Sequence, residues 1–211
     1  MTRFRRVPRA RLWALAALTA TAATASVFVL GATPASADTV ITVTYPVSGS
    51  TYIKAIKTTE DLGPGTLTSS LDLNTSAVSG TLSLPPATAS FKELGFIPVT
   101  ATTELVQDGT ATGTASLTAN TVSVTSTSTL EITSLKVAGI KVPVGSGCHS
   151  GAITTTLNSQ AGFNVLSGGT LAGTYTIPRF SGCGLIANAL INLTLPGSGN
   201  TLTLTLGAAT L

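Results

Sequence analysis

The chain has 211 residues, 43% of them hydrophobic and 9% charged, with 11 basic and 8 acidic side chains. Five of the basic ones, Arg3, Arg5, Arg6, Arg9 and Arg11, crowd the N-terminus. Without that segment the balance is 6 basic against 8 acidic side chains, a formal charge of −2, which leaves no basic surface for nucleic acid and no polybasic run for anionic lipid.

The N-terminal arginines, the mostly apolar stretch 12–30 and Ala35-Ser36-Ala37 together make a secretory signal. Small residues suit the A-x-A site because the peptidase pocket admits nothing larger, and Pro34 helps to end the preceding helix. Cleavage is expected after Ala37, leaving one secreted domain over residues 38–211. A domain of that length buries roughly 70% of its unfolded surface. Val7-Pro8 after Arg5-Arg6 fits the general secretory route better than the twin-arginine route. No Cys follows the cleavage site, so the chain is not expected to be a lipoprotein. The expected location is extracellular.

Period two dominates the rest. Strands are predicted at 39–45, 51–57, 66–73 and 78–84. From Ile97 to Leu105 the odd positions are Ile97, Val99, Ala101, Thr103 and Leu105. Asp108-Gly109 follows as a hairpin signal, because Gly tolerates the positive φ of a tight turn. Ala111, Gly113, Ala115 and Leu117 then alternate with Thr and Ser, and a turn at Ala119-Asn120 leads to Val122, Val124, Leu130 and Ile132 on one face. Past Thr133 the apolar face switches to Leu135 and Val137. A slip of one residue turns every side chain to the other face, which predicts a bulge near Thr133-Ser134. These three segments read as a meander.

Further strands are predicted at 152–157, 170–177 and 201–207. The segment 185–193 fits a helix through Leu185, Ile186, Ala189, Leu190 and Leu193, and a strand through Ala187, Ala189, Ile191, Leu193 and Leu195. Leu195-Pro196-Gly197-Ser198-Gly199 is one substitution from the L-P-x-T-G wall-sorting signal. The twelve residues after it are too few to span a membrane and contain no basic residue, so sortase anchoring is not expected. The segment reads as a turn before a closing strand, with Leu202, Leu204 and Leu206 inward and Thr201, Thr203 and Thr205 outward. Short strands between Gly and Pro turns predict an all-β fold, an antiparallel β-sandwich of immunoglobulin-like or related type, with at most one short helix after Cys183.

Cys148 and Cys183 are an even pair in an oxidising compartment and read as a disulfide. Two internal echoes occur. Val78-Ser79-Gly80-Thr81-Leu82-Ser83-Leu84-Pro85 matches Leu171-Ala172-Gly173-Thr174-Tyr175-Thr176-Ile177-Pro178. Phe91-Lys92-Glu93-Leu94-Gly95 matches Leu135-Lys136-Val137-Ala138-Gly139, each with Pro-Val a few residues on. The runs at 94–105 (LGFIPVTATTEL), 173–184 (GTYTIPRFSGCG) and 197–206 (GSGNTLTLTL) give the chain a further likeness. It resembles small secreted actinobacterial proteins of unknown function over residues 40–207. That resemblance implies an all-β extracellular domain with the Cys pair bridged, and it carries over no catalytic residue.

Little in the sequence points to catalysis. The single His, His149, lies beside Cys148 in a Gly- and Ser-rich loop, and no G-x-S-x-G elbow accompanies it. A glycosidase would need two of Asp38, Glu60, Asp61, Asp72, Glu93, Glu104, Asp108 and Glu131 to converge. There is no EF-hand loop, phosphate loop or H-E-x-x-H, so neither metal nor cofactor is expected. A spanning β-barrel would need aromatic girdles that are missing here. Thr makes up 34 of residues 38–211, and such a weakly charged face suits flat contact with glycan, lipid or another copy through strand edges. The expectation is a non-catalytic extracellular binding or surface-associated module. The alternatives are a carrier of lipid or small molecules with an internal cavity, and a carboxylate-based hydrolase.

Overall fold

The computed structural model describes residues 39–211 apart from Leu94; the expected secretory signal and cleavage site lie outside the described residues. In chain order the elements are β1 (Val40–Ile53), β2 (Thr58–Asp72), β3 (Ala77–Ser83), β4 (Ala87–Glu93), β5 (Ile97–Gln107), β6 (Ala111–Ser116) and β7 (Thr121–Val137). There follow β8 (Ile140–Val142), β9 (His149–Ser150), β10 (Ile153–Ser159), β11 (Gly169–Ile177), β12 (Phe180–Ser181), α1 (Leu185–Thr194) and β13 (Gly197–Leu206).

The strands do not form a sandwich. Eight of them close an antiparallel barrel in the order β10-β11-β13-β1-β2-β3-β6-β7, and β7 returns to β10. Closure is made by the ladder from Ile153 opposite Ser128 to Asn158 opposite Ser123. Alternation of apolar and Thr positions is the same for a sandwich face and a barrel wall, so only this non-local pairing separates the two folds. The strands are also longer than predicted. The segment expected at 39–45 and the first three residues of that expected at 51–57 belong to one strand, β1, whose register shifts between Val47 and Gly49, and residues 54–57 form the turn to β2.

The meander is corrected as well. Ser128 of β7 pairs with Gln107 of β5 and with Ile153 of β10. Val124 pairs with Gly113 of β6 and with Leu157 of β10. β5 and β6 therefore lie end to end along one edge of β7, and Asp108-Gly109 joins them in line rather than turning a hairpin. The bulge falls where the switch of face placed it. Thr102 faces Ser134 and Thr103 faces Ile132, leaving Thr133 as the extra residue.

Two apolar clusters fill the interior. The lower one is built on Val43, Tyr45, Leu71, Leu171, Leu204 and Leu206. The upper one is built on Ile53, Ile132, Leu135, Ile177, Phe180 and Ile191. Around the upper cluster, β4, β5, β8 and α1 extend the barrel. The ambiguous segment is a helix, but the face it buries in that cluster is Ala187 and Ile191, whereas Leu185, Ile186, Ala189, Leu190 and Leu193 of the expected face are exposed. Cys148 and Cys183 are disulfide-bonded, tying the approach to β9 to the start of α1. Such a bond fits an extracellular protein. Outward-facing hydroxyls pair across neighbouring strands, as Thr42 with Ser70 at 3.2 Å and Thr125 with Thr156 at 2.9 Å. A wall that is apolar within and hydroxylated without is the inverse of a spanning β-barrel. No helix among the described residues is long and apolar enough to cross a membrane.

Replacing both cysteines by Ala should lower unfolding stability by about 4 kcal/mol, the chain-entropy value for a loop of this length. A urea titration of the double variant beside the native protein measures it.

Candidate functional site

The barrel wall has a notch. Pro85-Pro86 follow β3, and proline has no N–H to give to a ladder. β3 therefore pairs with β2 only from Thr66 to Leu71. Above Thr66 that edge of β2 carries no ladder pairing among the described residues. The Gln107 side chain stitches the gap at its lower margin. Its Oε1 accepts the Leu82 N–H at 2.7 Å, and its Nε2 donates to the Gly80 carbonyl at 2.9 Å.

Behind the notch lies a cavity of about 50 Å³. Its apolar walls include Leu62, Leu84, Leu105 and Leu130, and its hydroxyls come from Thr51, Thr103, Ser128, Thr155 and Tyr175. One carboxyl group lines it, that of Glu60, which is 6% exposed. Alternation along β2 turns Glu60 inward directly opposite Thr51 of β1, while Asp61 points out. Thr103 donates its hydroxyl to Glu60 Oε1 at 3.1 Å. Thr51 donates to the Thr201 carbonyl at 3.0 Å. With that proton committed, the 2.6 Å contact between Thr51 and Tyr175 has the Tyr175 phenol as donor.

No basic side chain lines the cavity. Burial pushes the Glu60 carboxyl above the ordinary range, and the Thr103 hydroxyl offsets part of that rise. Burial also raises the Tyr175 phenol, as does the charge of Glu60, against the Thr51 hydrogen bond. The site is thus a carboxyl group without a counter-ion inside an apolar barrel, with hydroxyls on several sides.

A second concavity opens at the upper end. α1 and the ends of β4, β5 and β7 enclose an apolar groove of about 160 Å³, lined among others by Phe91, Ile97, Val137, Leu190 and Leu193.

The other candidate residues lie apart. His149 is exposed on β9, its Nδ1 2.7 Å from the Gly147 carbonyl. Asp72 holds the β2–β3 turn by accepting the Asn74 N–H and the Thr75 hydroxyl, and the Thr75 bond keeps its carboxyl below the ordinary range. Glu104 and Glu131 face each other across β5 and β7. Asp108 accepts the Thr129 hydroxyl at 2.6 Å, and Glu93 lines the apolar groove. Each concavity thus brings in one carboxylate, whereas a pair is needed for glycoside hydrolysis. No group of three or more metal-ligating side chains occurs among the described residues. Sequence reading gave Glu60 no distinction among the acids. The signal was its place between Thr58 and Leu62 on the inward face of β2, legible only once the strand was known to run through 58–72.

Two outcomes test this geometry. The folded carboxyl titrates above its unfolded value, so the contribution of Glu60 to stability is full below the ordinary carboxyl range. It is lost as pH rises through the raised folded value. Glu60→Gln should remove that fall and leave the variant more stable than the native protein at neutral pH, as thermal melts across the range would record. Gln107→Ala strips partners from the Leu82 N–H and the Gly80 carbonyl and should cost about 1–3 kcal/mol, measured by chemical denaturation. No family model matches the chain, and no curated protein or solved structure matches it either.

Proposed function

We propose that the chain is a non-catalytic extracellular binding protein whose barrel takes a small, partly apolar ligand through the notch. One observation carries this reading: Glu60 is buried in an apolar-lined cavity with no cation to compensate it. A buried carboxyl group without a counter-ion is costly, and an aliphatic side chain would fill a barrel without that cost. A ligand head that donates hydrogen bonds, an amine or a hydroxyl, adds to the single hydrogen bond that Thr103 provides. The surrounding hydroxyls orient that head, and Leu62, Leu84 and Leu105 take the apolar part, the usual division of labour in a binding cavity.

The volume limits the head. About 50 Å³ is the room of about two water molecules, so the rest of the ligand lies in the notch beside Leu84 and Pro85. The single carboxyl group favours binding over hydrolysis by paired acids, and the disulfide together with the secretory signal supports an extracellular site of action.

Short primary alkylamines and the matched alcohols serve as probes, followed by titration calorimetry and thermal shift. Amines should bind more tightly than alcohols of equal chain length. Glu60→Gln should weaken amine binding about tenfold or more, the worth of a hydrogen bond to a charged group, and barely alter the alcohols. The reading fails if neither class binds, or if both bind the variant and the native protein alike.

A further inference from the structure

The upper end of the barrel is capped by apolar side chains that face water. α1 contains no charged residue, and its outer face presents Leu185, Ile186 and Leu193, the last 81% exposed. A surface helix ordinarily turns polar and charged residues outward, and contiguous exposed apolar area marks a contact site. Beside the helix stand the tips of two hairpins, β4–β5 and β7–β8. Val99 pairs with Val137, and the Ala138 N–H donates to the Pro98 carbonyl at 2.8 Å, so the two tips are neighbours.

These hairpins are the second sequence echo. In each, a glycine with φ of 81° at the tip is followed by a large apolar residue, Phe96 after Gly95 and Ile140 after Gly139. Phe96 is 71% exposed and Ile140 72%. Neither contributes to a core, yet the same arrangement occurs twice, side by side. The groove beneath them is walled by α1, which joins tips and helix into one apolar end.

Charge is distributed to match. Lys136 stands opposite Lys141 and Thr100, and Lys92 stands opposite Pro98, two residues from Thr100. All three lysines are exposed on the outer face of the sheet whose inner face packs on α1. The other basic residues of the described chain, Lys54, Lys57 and Arg179, flank strands that reach the upper cluster. No cation lies on the stretches of strand that line the lower cluster. The sequence has no polybasic run, but the fold sets Lys92, Lys136 and Lys141 side by side near the hairpin tips, with Glu104 and Glu131 farther from the tips on β5 and β7.

We propose that this end docks on the surface of an anionic lipid bilayer. Phe96, Ile140 and the outer face of α1 enter the boundary between headgroups and acyl chains, and Lys92, Lys136 and Lys141 meet the lipid phosphates. The cations favour an anionic bilayer over a second copy of the chain. A two-fold contact through this end would bring the same patch of both copies together, lysines included. The inference goes beyond ligand binding at Glu60 and does not depend on it.

The test is flotation of residues 38–211 with vesicles of phosphatidylcholine alone and of phosphatidylcholine mixed with phosphatidylglycerol. Binding is expected on the mixed vesicles and should weaken as salt is raised. Changing Lys92, Lys136 and Lys141 together to Gln should weaken it about a hundredfold, or about fivefold per lysine. Phe96→Ser with Ile140→Ser should abolish it with an unchanged thermal melt, since both side chains are exposed. Glu60→Gln should bind vesicles like the native protein. The proposal is overturned by absence of binding to either vesicle, or by equal binding to both that ignores the lysine changes. It is also overturned if sedimentation shows a dimer that Phe96→Ser with Ile140→Ser dissociates, without vesicle binding, for then the apolar end belongs to a second copy.

Discussion

The architecture depends on the pairing of one long strand along both of its edges. β7 runs for 17 residues. One edge carries β6 and then β5; the other carries β10, β9 and β8. Its lower half closes the barrel and its upper half supports the sheet that packs on α1. The bulge at Thr133 re-aims the strand between those two duties. A classic bulge bends its strand and increases local twist, and here it lets Ile132 and Leu135 both point into the upper cluster although they are three residues apart.

The notch and the buried acid follow from the same arrangement. Because β5 and β6 share one edge of β7 end to end, β3 loses β6 as a partner at Gly80, runs on beside β2 to Ser83, and is stopped there by Pro85-Pro86. The barrel is therefore continuous below and interrupted above, with Glu60 directly behind the interruption. A chain selected for stability alone would fill that position with a branched aliphatic residue. Glu60 is the one buried acid among the described residues, and such departures gather at sites of function.

Much of the local structure was legible in the sequence. Leu202, Leu204 and Leu206 face inward and the intervening threonines face out, as alternation required. The Cys pair was readable from compartment and number. What was not legible was partner choice. Asp108-Gly109 has the chemistry of a tight turn, yet backbone chemistry at a turn cannot say whether the next strand folds back or carries on. β4 was missed because its inward residues begin with Ala87 and Ala89, too small to mark a face. Gly197 to Asn200 was read as turn because of its glycines and proline neighbour. It is the start of β13, where Gly199, at φ of 81°, is the extra residue of a second bulge. The buried Asn200 side chain fixes that corner by accepting the Lys54 N–H and donating to the Gly197 and Tyr175 carbonyls. The order of strands around the barrel, and with it the cavity, resides in long-range ladders that no local pattern encodes.

The position of β13 has a consequence for how the molecule is made. β13 lies between β1 and β11 and completes a ladder with each. It brings the end of the chain against its beginning, with Thr210 paired to Thr44 beyond it. Contacts so distant in sequence form slowly, because the intervening chain must first surrender its freedom. Until β13 takes its place, β1 and β11 present bare edges and the lower cluster lacks Leu202, Leu204 and Leu206. A chain made from its N-terminus therefore holds an open barrel until β13, the last of the described strands, has been added.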